Sequence, residues 1–307
     1  MRLLVTGGAG FIGSNFVHYA LENTTHDVVT LDALTYAGSR SNLDGTLEND
    51  RHRFVEGDIR DRDLVDELVA DVDAVVNFAA ESHVDRSIDS AEPFVSTNVR
   101  GTQTLLDAAR THDVDRFLQV STDEVYGEVL DGTFSEDNPL EPRNPYAATK
   151  AGADLLARSY HTTYGLPVVI TRSSNNYGPH QHPEKLIPKF ITNAASGDSL
   201  PVYGDGSNVR EWTYVTDNCR GIDRVLRDGV PGEVYNIGSG EELSNLEVTR
   251  RIIEATGASE DLVEFVEDRP GHDQRYALDT TKVTELGWEP RWTVDEGLAE
   301  TVNYYLD

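Results

Sequence analysis

The chain has 307 residues, 38% of them hydrophobic, so it is long enough to bury a large core and too apolar to be disordered. It carries 54 acidic residues against 26 basic ones, which gives a formal net charge of -28 at pH 7. A surface this acidic repels nucleic acid and anionic lipid at long range. We therefore expect neither nucleic acid nor a membrane as a partner.

The basic residues are almost all arginine. Lysine occurs only at Lys150, Lys185, Lys189 and Lys282, while aspartate supplies 30 of the 54 acidic residues. Concentrated salt shortens the Debye length to about 3 Å at 1 M, which removes most of the self-repulsion of such a surface. The composition therefore predicts a halophilic protein that works in high salt.

The chain has a single cysteine, Cys219, which excludes an intrachain disulfide and a metal site built on paired cysteines. We expect it to be a small buried residue, and its isolation fits a reducing cytoplasm. Glycines interrupt the apolar start of the chain, and no window approaches the ~20 apolar residues of a membrane span. The sequence thus predicts a cytoplasmic location.

Short apolar runs alternate with helix-length amphipathic stretches through the first half of the chain. This alternation is typical of a parallel sheet with helices on both faces. The predicted strands are 3–6, 28–31, 54–55, 74–78, 117–121 and 168–171. The predicted helices are 11–22, 64–70, 95–112 and 146–164. The pattern indicates an α/β fold with a doubly wound, Rossmann-like parallel sheet.

After residue 172 the alternation of strands and helices ends. The segments that follow are rich in proline, glycine and asparagine, which is typical of loops around a ligand. We interpret this change as the start of a smaller mixed C-terminal substrate lobe. The predicted dinucleotide-binding domain comprises 1–172 with part of 212–240. The predicted substrate lobe comprises 173–211 and 241–307.

A glycine-rich turn, Gly7 to Gly13, follows the first predicted strand and contains both GxxGxxG and GxGxxG. Glycines permit a tight turn and bring backbone N–H groups to a pyrophosphate, whose charge the following helix N-terminus favours. Asp32 ends the next predicted strand, about 20 residues on, where a carboxylate binds ribose hydroxyls and repels a 2′-phosphate. The pattern predicts an NAD site rather than an NADP site.

Tyr146 and Lys150 lie four residues apart, on one face of a predicted helix. An unperturbed phenol, with a pKa of about 10, is a poor base at neutral pH. A nearby ammonium and a bound NAD⁺ both favour the phenolate. Such a phenolate can remove a hydroxyl proton while hydride leaves the same carbon for the nicotinamide.

The TGxxGxxG turn, the predicted strand ending at Ser121 and Thr122, and the YxxxK pair resemble the extended short-chain dehydrogenase/reductase superfamily over nearly the whole chain. Within it, Thr122-Asp123-Glu124 resembles the dTDP-glucose 4,6-dehydratases. Further segments similar to that family are LDALTYAG, AAESHVDRSI, PEKLIP, NVREWTYV and DRPGHDQRY.

The resemblance implies a mechanism. Tyr146, helped by Thr122 and Lys150, would deprotonate the glucose 4-hydroxyl as hydride passes from C4 to NAD⁺. Glu124 would take the C5 proton of the resulting ketone, and Asp123 would protonate the departing 6-hydroxyl. Hydride would return to C6, restoring NAD and giving a 4-keto-6-deoxy sugar for deoxysugar (rhamnose-type) or surface-glycan synthesis.

The glycine turn, the ends of the predicted strands and the family resemblance together predict which residues contact the ligands. Those predicted for NAD are Gly7, Gly10, Phe11, Ile12, Gly13, Asp32, Thr35, Asp58, Ile59, Ala79, Ala80, Ser82, Thr97, Tyr146 and Lys150. Those predicted for the nucleotide sugar are His83, Thr122, Asn175, Asn176, Lys185, Leu186, Arg210, Asn245, Arg269 and His272. Arg210 and Arg269 would hold the diphosphate. We expect no metal, because His180 and His182 lack a companion carboxylate or cysteine pattern.

Alternatives remain open at this stage. A UDP-sugar 4-epimerase or UDP-glucuronate decarboxylase would share the fold, and a regulator could bind NAD and a sugar nucleotide without turnover. Nothing in the sequence separates a thymidine from a uridine nucleotide. The resemblance implies a homodimer formed through the predicted helices 95–112 and 146–164. The chain departs from the family pattern at Ala148-Thr149, Glu211, Asn218 and Cys219, none of which is a predicted catalytic group.

Overall fold

A computed structural model describes residues 1–268 and 273–306 of the chain. Its strands are β1 (Arg2–Thr6), β2 (Asp27–Asp32), β3 (His52–Glu56), β4 (Ala74–Asn77), β5 (Arg116–Thr122), β6 (Val168–Ser173), β7 (Asn175–Tyr177), β8 (Leu200–Tyr203), β9 (Val209–Tyr214), β10 (Val234–Ile237), β11 (Glu242–Ser244) and β12 (Val263–Val266). Seven of them form one parallel sheet in the order β10-β6-β5-β4-β1-β2-β3.

Helices lie between most of these strands. They are α1 (Phe11–Asn23), α2 (Arg62–Val69), α3 (Val84–Asp89), α4 (Glu92–Phe94), α5 (Thr102–Thr111), α6 (Pro145–Tyr164), α7 (Leu186–Ser196), α8 (Val215–Asp228), α9 (Asn245–Thr256), α10 (Thr281–Glu285) and α11 (Val294–Leu306). Three short 3₁₀ helices, Arg40–Leu43, Asp123–Tyr126 and Glu260–Leu262, and one π-helical segment, Val95–Gly101, complete the described elements.

Both faces of the large sheet are covered, which confirms the predicted doubly wound α/β fold. Helices α1 and α8 bury residues such as Phe16 and Ile222 against one face. Helices α2, α5 and α6 bury Val65, Leu105 and Ala157 against the other. The chain runs outward from β1 through β2 and β3, and in the opposite direction through β4, β5 and β6. The carboxyl ends of β1 and β4 therefore border the crevice where such sheets bind ligands.

The six predicted strands correspond to β1 through β6, but the predicted single helix 95–112 is wrong in its first turns. Val95–Gly101 is a π-helix and only Thr102–Thr111 is regular α-helix. Within the π-helix, the Asn98 amide donates to the Glu81 carbonyl and to the Thr149 hydroxyl, and it accepts from the Glu81 N–H. These contacts between distant segments accompany a widening of the helix that periodicity cannot indicate.

A second group of elements packs beside the carboxyl edge of the sheet. It contains the three-stranded sheet β11-β9-β7, the pair β12-β8, and helices α7, α9 and α11 around a separate core that includes Ile191, Trp212 and Ile252. Strand β9 belongs to this group, whereas α8 and β10, which follow it, return to the large sheet.

Cys219 lies on α8 and is fully buried. Across the described ranges 1–268 and 273–306, none of the helices has both the length and the apolar composition that crossing a bilayer requires.

Candidate active site

The glycine turn after β1 accepts no larger residue at its tightest points. Gly7 has a φ of +68°, and a Cβ there would lie 2.6 Å from the backbone nitrogen of Ala79. A Cβ on Gly13 would lie 2.2 Å from the carbonyl oxygen of Gly7. Helix α1 begins beside this turn, and its N-cap, Gly10, has no side chain to cover the first amides. The turn therefore leaves N–H groups free for a phosphate.

Asp32 ends β2 beside the turn. One carboxylate oxygen accepts from the Ala9 N–H and the other from the Leu34 N–H, both at 2.8 Å. Burial raises the pKa of this carboxyl, and the backbone hydrogen bonds act in the opposite direction. Because each carboxylate oxygen has a second lone pair, Asp32 can also accept from ribose hydroxyls.

All fifteen residues predicted to contact NAD line one cleft at the carboxyl edge of the sheet. The glycine turn, the uncapped helix start and the Asp32 carboxylate match the pyrophosphate and ribose of a dinucleotide. The sequence missed other residues of this cleft, notably Tyr36, Arg60, Gln181 and Glu184. The first two have no distinctive spacing, and the last two come from the loop before α7, which only tertiary packing brings here.

The catalytic candidates come from the end of β5 and the start of α6. Thr122 is the last residue of β5. Its hydroxyl accepts from the Glu124 N–H at 3.3 Å and donates to the Asp123 carboxylate at 3.2 Å.

Asn144 caps α6, because its side-chain oxygen accepts from the Ala147 N–H. The side-chain amide of Asn144 also donates to the Glu124 carboxylate at 3.1 Å. The cap thereby aligns the helix that carries Tyr146 with the Glu124 carboxylate. The sequence signal of this cap is an asparagine directly before a proline, because asparagine favours the N-cap position and proline the first helical position.

Asp123 is suited to hold a proton. Its side chain is 2% exposed, and its Oδ2 has no hydrogen-bond partner within the described residues. Burial, followed by the nearby Glu124 and Glu211 carboxylates, raises the pKa of Asp123 well above its ordinary value. A protonated carboxylic acid beside a carboxylate provides one proton donor and one base, as an elimination requires.

The phenol of Tyr146 is also buried. Burial and the Glu124 carboxylate raise its pKa, while a hydrogen bond with the Thr122 side chain lowers it. Burial lowers the pKa of Lys150 to about 8, and its ammonium donates to the Val120 carbonyl at 2.6 Å. Burial thus favours the protonated phenol in the ligand-free protein. That Lys150 and a bound NAD⁺ together favour the phenolate stays a prediction.

A second cavity adjoins the first. The predicted sugar-nucleotide residues that line it are His83, Asn175, Asn176, Lys185, Leu186, Arg210 and Asn245. Glu124 lines it as well, and Gln181, Glu184 and Lys185 line both cavities. Thr122 is absent from its lining but lies beside Glu124. The predicted contacts Arg269 and His272 lie outside the described residues.

Arg210 is held by the protein itself. Its guanidinium donates to the carbonyls of Val209 and Asp273, at 2.7 and 2.8 Å, and stacks 4.5 Å from the Tyr276 ring centre. The Tyr276 hydroxyl donates to the Asp273 carboxylate. Arg210 is therefore fixed at the cavity wall by strand β9 and the segment that follows residue 272.

The departures from the family pattern fill packing and hydrogen-bonding positions. Glu211 is buried and accepts from the N–H groups of Gly240 and Leu278. Asn218 accepts from the Ser173 hydroxyl at 2.8 Å. Within residues 1–268 and 273–306, no group of three or more histidine, cysteine, aspartate or glutamate side chains is arranged to hold a metal ion.

A dinucleotide cleft at the switch point of a doubly wound sheet, with a buried Tyr-x-x-x-Lys pair on the adjacent helix, defines a short-chain dehydrogenase/reductase. The chain belongs to the GDP-mannose 4,6 dehydratase family, whose model matches residues 4–301.

Full-length relatives agree with this assignment. The chain is 72% identical to the Low-salt glycan biosynthesis protein Agl12 of Haloferax volcanii, over 100% of this chain and 99% of that protein. It is 55% identical to a dTDP-glucose 4,6-dehydratase of Streptomyces niveus, over 100% and 93% of the two chains. It also superimposes on the dTDP-glucose 4,6-dehydratase DesIV of Streptomyces venezuelae, crystallised with NAD and TYD bound, with a TM-score of 0.97, 56% identity and coverage of 99% and 97%.

We expect Gly7→Ala to abolish dinucleotide binding and to destabilise the fold more than Gly45→Ala does. Both glycines have positive φ, but a Cβ on Gly45 meets nothing within 4 Å, whereas one on Gly7 overlaps the Ala79 backbone. Gly45→Ala therefore costs only the conformational strain of about 1 kcal/mol. Denaturant unfolding and calorimetric titration with NAD measure both effects, and equal stability losses would contradict the crowding argument.

We expect Asp123→Asn to raise the free energy of unfolding. Because the carboxyl has a raised pKa when folded, the unfolded chain binds fewer protons above pH 3.8, and the wild type loses stability as pH rises from there. The gain from the substitution should therefore be small in acid and grow toward pH 8. Denaturant unfolding at several pH values measures this gain.

Asp217→Asn is the matched control, because Asp217 is equally buried but accepts from Arg220 and from the N–H groups of Arg291 and Trp292. That substitution should lower stability by roughly 2 kcal/mol or more. If both variants were destabilised to the same degree, Asp123 would be an ordinary structural carboxylate.

Proposed function

We propose that this chain dehydrates dTDP-glucose to dTDP-4-keto-6-deoxyglucose with NAD as a bound cofactor. The observation that carries the proposal is the pairing of a buried, proton-holding Asp123 with Glu124 beside the Tyr146 phenol. Sequence identity above 50% to enzymes named for this reaction supports the choice of substrate.

NAD would be held by the glycine turn after β1, by Asp32 and by the remaining lining of the first cleft. When bound, it supplies a reversible hydride acceptor that permits oxidation at C4 and later reduction at C6. Lys150 lies at the inner wall of this cleft, and its charge would favour the phenolate of Tyr146 once the positively charged nicotinamide is present.

The protein residues carry the protons of the reaction. Tyr146, with Thr122 hydrogen-bonded to it, would take the proton of the 4-hydroxyl. The 4-ketone acidifies the neighbouring C5–H, which Glu124 would remove as general base. Asp123 would give its proton to the departing 6-hydroxyl, so that water leaves instead of hydroxide. Proton return to C5 completes the product.

The second cavity would hold the nucleoside diphosphate. Lys185 and Arg210 bring positive charge to its wall, and Asn175, Asn176 and Asn245 bring amide groups. We extend this assignment to the predicted contacts His83, Leu186, Arg269 and His272. The division into a dinucleotide domain and a substrate lobe is part of the same proposal, and it rests on the separate hydrophobic core beside the large sheet.

Incubation with dTDP-glucose in D₂O tests the reaction. Dehydration should yield a 4-keto-6-deoxy sugar nucleotide carrying deuterium at C5, with no net reduction of NAD. Parallel incubation with UDP-glucose tests the base preference. An epimerised sugar or released CO₂ would refute the proposal in favour of the epimerase or decarboxylase reading, and binding without turnover would favour a regulator.

Substitution assigns the roles within this reaction. Tyr146→Phe should reduce kcat by at least about 100-fold with nucleotide binding retained, since only the proton-transfer group is lost. Asp123→Asn and Glu124→Gln should still exchange the substrate's C4 hydrogen with the cofactor but release almost no water. Unchanged turnover in Tyr146→Phe would refute its role.

We further propose that the protein is halophilic, cytoplasmic and a homodimer. Val95, Leu155 and Tyr164, on the helical segments predicted for the interface, are 50%, 56% and 54% exposed. Exposed apolar side chains on two neighbouring helical segments support the proposal that a second copy of the chain covers this face. The 72% identity to a Haloferax volcanii protein named for low-salt glycan biosynthesis supports the halophilic origin and a role in glycan synthesis.

Activity and thermal stability should fall when the salt concentration is lowered from about 2 M to about 0.1 M KCl, because the Debye length grows to about 10 Å and the net charge of -28 repels itself. Turnover and melting temperature across this series measure the effect. Sedimentation in the same solutions should give a dimer of the 33.9 kDa chain at high salt. Full activity without added salt would contradict the halophilic proposal and leave the chemistry untouched.

A further inference from the structure

A buried ion pair lies beneath the proposed active site. Asp154 on α6 is fully buried and Arg172 on β6 is 1% exposed, and the Arg172 Nε lies 3.0 Å from Asp154 Oδ2. Burying two charges costs desolvation free energy that their attraction barely recovers, and apolar residues of similar size often stabilise a fold as well or better. Stability is therefore a weak reason for this pair.

The position of Asp154 suggests another reason. Tyr146, Lys150 and Asp154 follow one another at intervals of four residues on α6, so they share one side of the helix. All three are buried. Arg172 occupies only one oxygen of the Asp154 carboxylate, and Oδ1 has no hydrogen-bond partner in the described part of the chain. Asp154 thus retains an uncompensated oxygen one helical turn beyond the buried lysine.

Lys150 is in an environment that disfavours its charge. Its ammonium is buried and donates to the carbonyl of Val120 on β5. Tyr146 and Asp154 lie one helical turn to either side of it on α6, Asp123 follows three residues after its acceptor Val120, and Arg172 on β6 pairs with Asp154. Burial lowers the pKa of Lys150, and the Asp154 carboxylate is the group that raises it.

Arg172 holds the carboxylate in place. Its guanidinium stacks 4.7 Å from the ring centre of Tyr126, whose hydroxyl donates to Asn236 at 2.8 Å. The arginine is thereby fixed between β6 and the 3₁₀ helix after β5. It pairs with Oδ2 of Asp154 and leaves Oδ1 without a hydrogen-bond partner among the described residues.

We propose that Asp154, held by Arg172, is the buried counter-charge that keeps the Lys150 ammonium protonated at neutral pH. Asp154 touches neither cleft and is a positioning residue that acts through Lys150. That the charged lysine matters for turnover rests on the proposed function. The electrostatic relation between Asp154, Arg172 and Lys150 is independent of the proposed function.

The lysine content of the chain permits a direct test. With only four lysines, protein labelled with ¹³C and ¹⁵N in lysine gives four resolvable side-chain NMR signals, and Lys150→Met assigns one by its disappearance. In the ligand-free wild type, Lys150 should titrate with a pKa of about 8. Asp154→Asn should move that midpoint down by about one to three pH units.

The sign of the shift separates electrostatics from loosened packing. Arg172→Gln leaves the carboxylate unbalanced and should move the Lys150 midpoint upward. Loosened packing would admit water and move the midpoint upward, toward the ordinary lysine value, in both variants. A downward shift in Asp154→Asn with an upward shift in Arg172→Gln therefore supports the proposal, and shifts of the same sign would overturn it.

Two further variants serve as controls. One keeps the test valid if Asp154→Asn does not fold, and the other measures how far the loss of a buried charge elsewhere shifts the Lys150 midpoint. The double variant Asp154→Asn, Arg172→Gln removes both charges and leaves no unpaired ion, so it should fold and still titrate below the wild type. Asp223→Asn removes another buried carboxylate, which pairs with the exposed Arg227 on α8, and should leave the Lys150 midpoint unchanged. A double variant that titrates like the wild type, or a shift in Asp223→Asn equal to that in Asp154→Asn, would overturn the proposal.

Turnover then links the pair to the reaction. In the wild type, the alkaline limb of the kcat profile should follow the Lys150 midpoint, and Asp154→Asn should move that limb to lower pH while Asp154→Glu restores it. Failure of the wild type to dehydrate dTDP-glucose would refute the proposed function alone, because the NMR titration needs neither substrate nor cofactor.

Discussion

The site depends on burying ionisable groups where water cannot stabilise their charges. Asp123, Tyr146, Lys150 and Arg172 all lie at the carboxyl edge of the sheet or just beneath it, and each is less than one-tenth exposed. Desolvation is the largest single influence on the pKa of all four groups. For Arg172, Asp154 and Tyr126 together outweigh desolvation and raise the pKa above its ordinary value. In such surroundings a carboxylic acid keeps its proton and a lysine loses its charge more readily. The fold therefore raises the pKa of Asp123 and lowers that of Lys150 before any ligand binds.

The same constraint explains how so acidic a chain can bind anions. With a net charge of -28, its long-range field repels nucleotides, so attraction has to come from groups at contact distance. The uncapped start of α1 provides N–H groups, Lys185 provides charge at the wall of both cavities, and Arg210 provides charge at the wall of the second. Carboxylates abundant at the surface are screened by salt, whereas these contacts lie within the Debye length and keep most of their strength.

Much of the fold could be predicted because local sequence determines it. Parallel strands buried on both faces read as unbroken apolar runs, and the glycine turn is recognisable because Gly7 and Gly13 contact backbone that admits no Cβ. What could not be predicted depends on contacts between distant segments. The π-helix accompanies the bonds of Asn98 to Glu81 and Thr149, and the fixed guanidinium of Arg210 depends on carbonyls of the segment after residue 272. The four-residue spacing placed Lys150 beside Tyr146 but could not show that burial lowers the pKa of the Lys150 ammonium.

The proton affinity of Asp123 depends on both parts of the molecule. The acid itself follows β5 of the large sheet, yet Glu211 raises and Arg210 lowers its pKa. Both residues lie on β9, and Arg210 lines the second cavity. An anion bound against Arg210 would offset the positive charge that lowers the pKa of Asp123. Under the proposed function, the diphosphate would therefore strengthen the acid's hold on its proton while the sugar is in place. Under the proposed function, the smaller group of elements would contribute to catalysis through charge as well as through contact with the substrate.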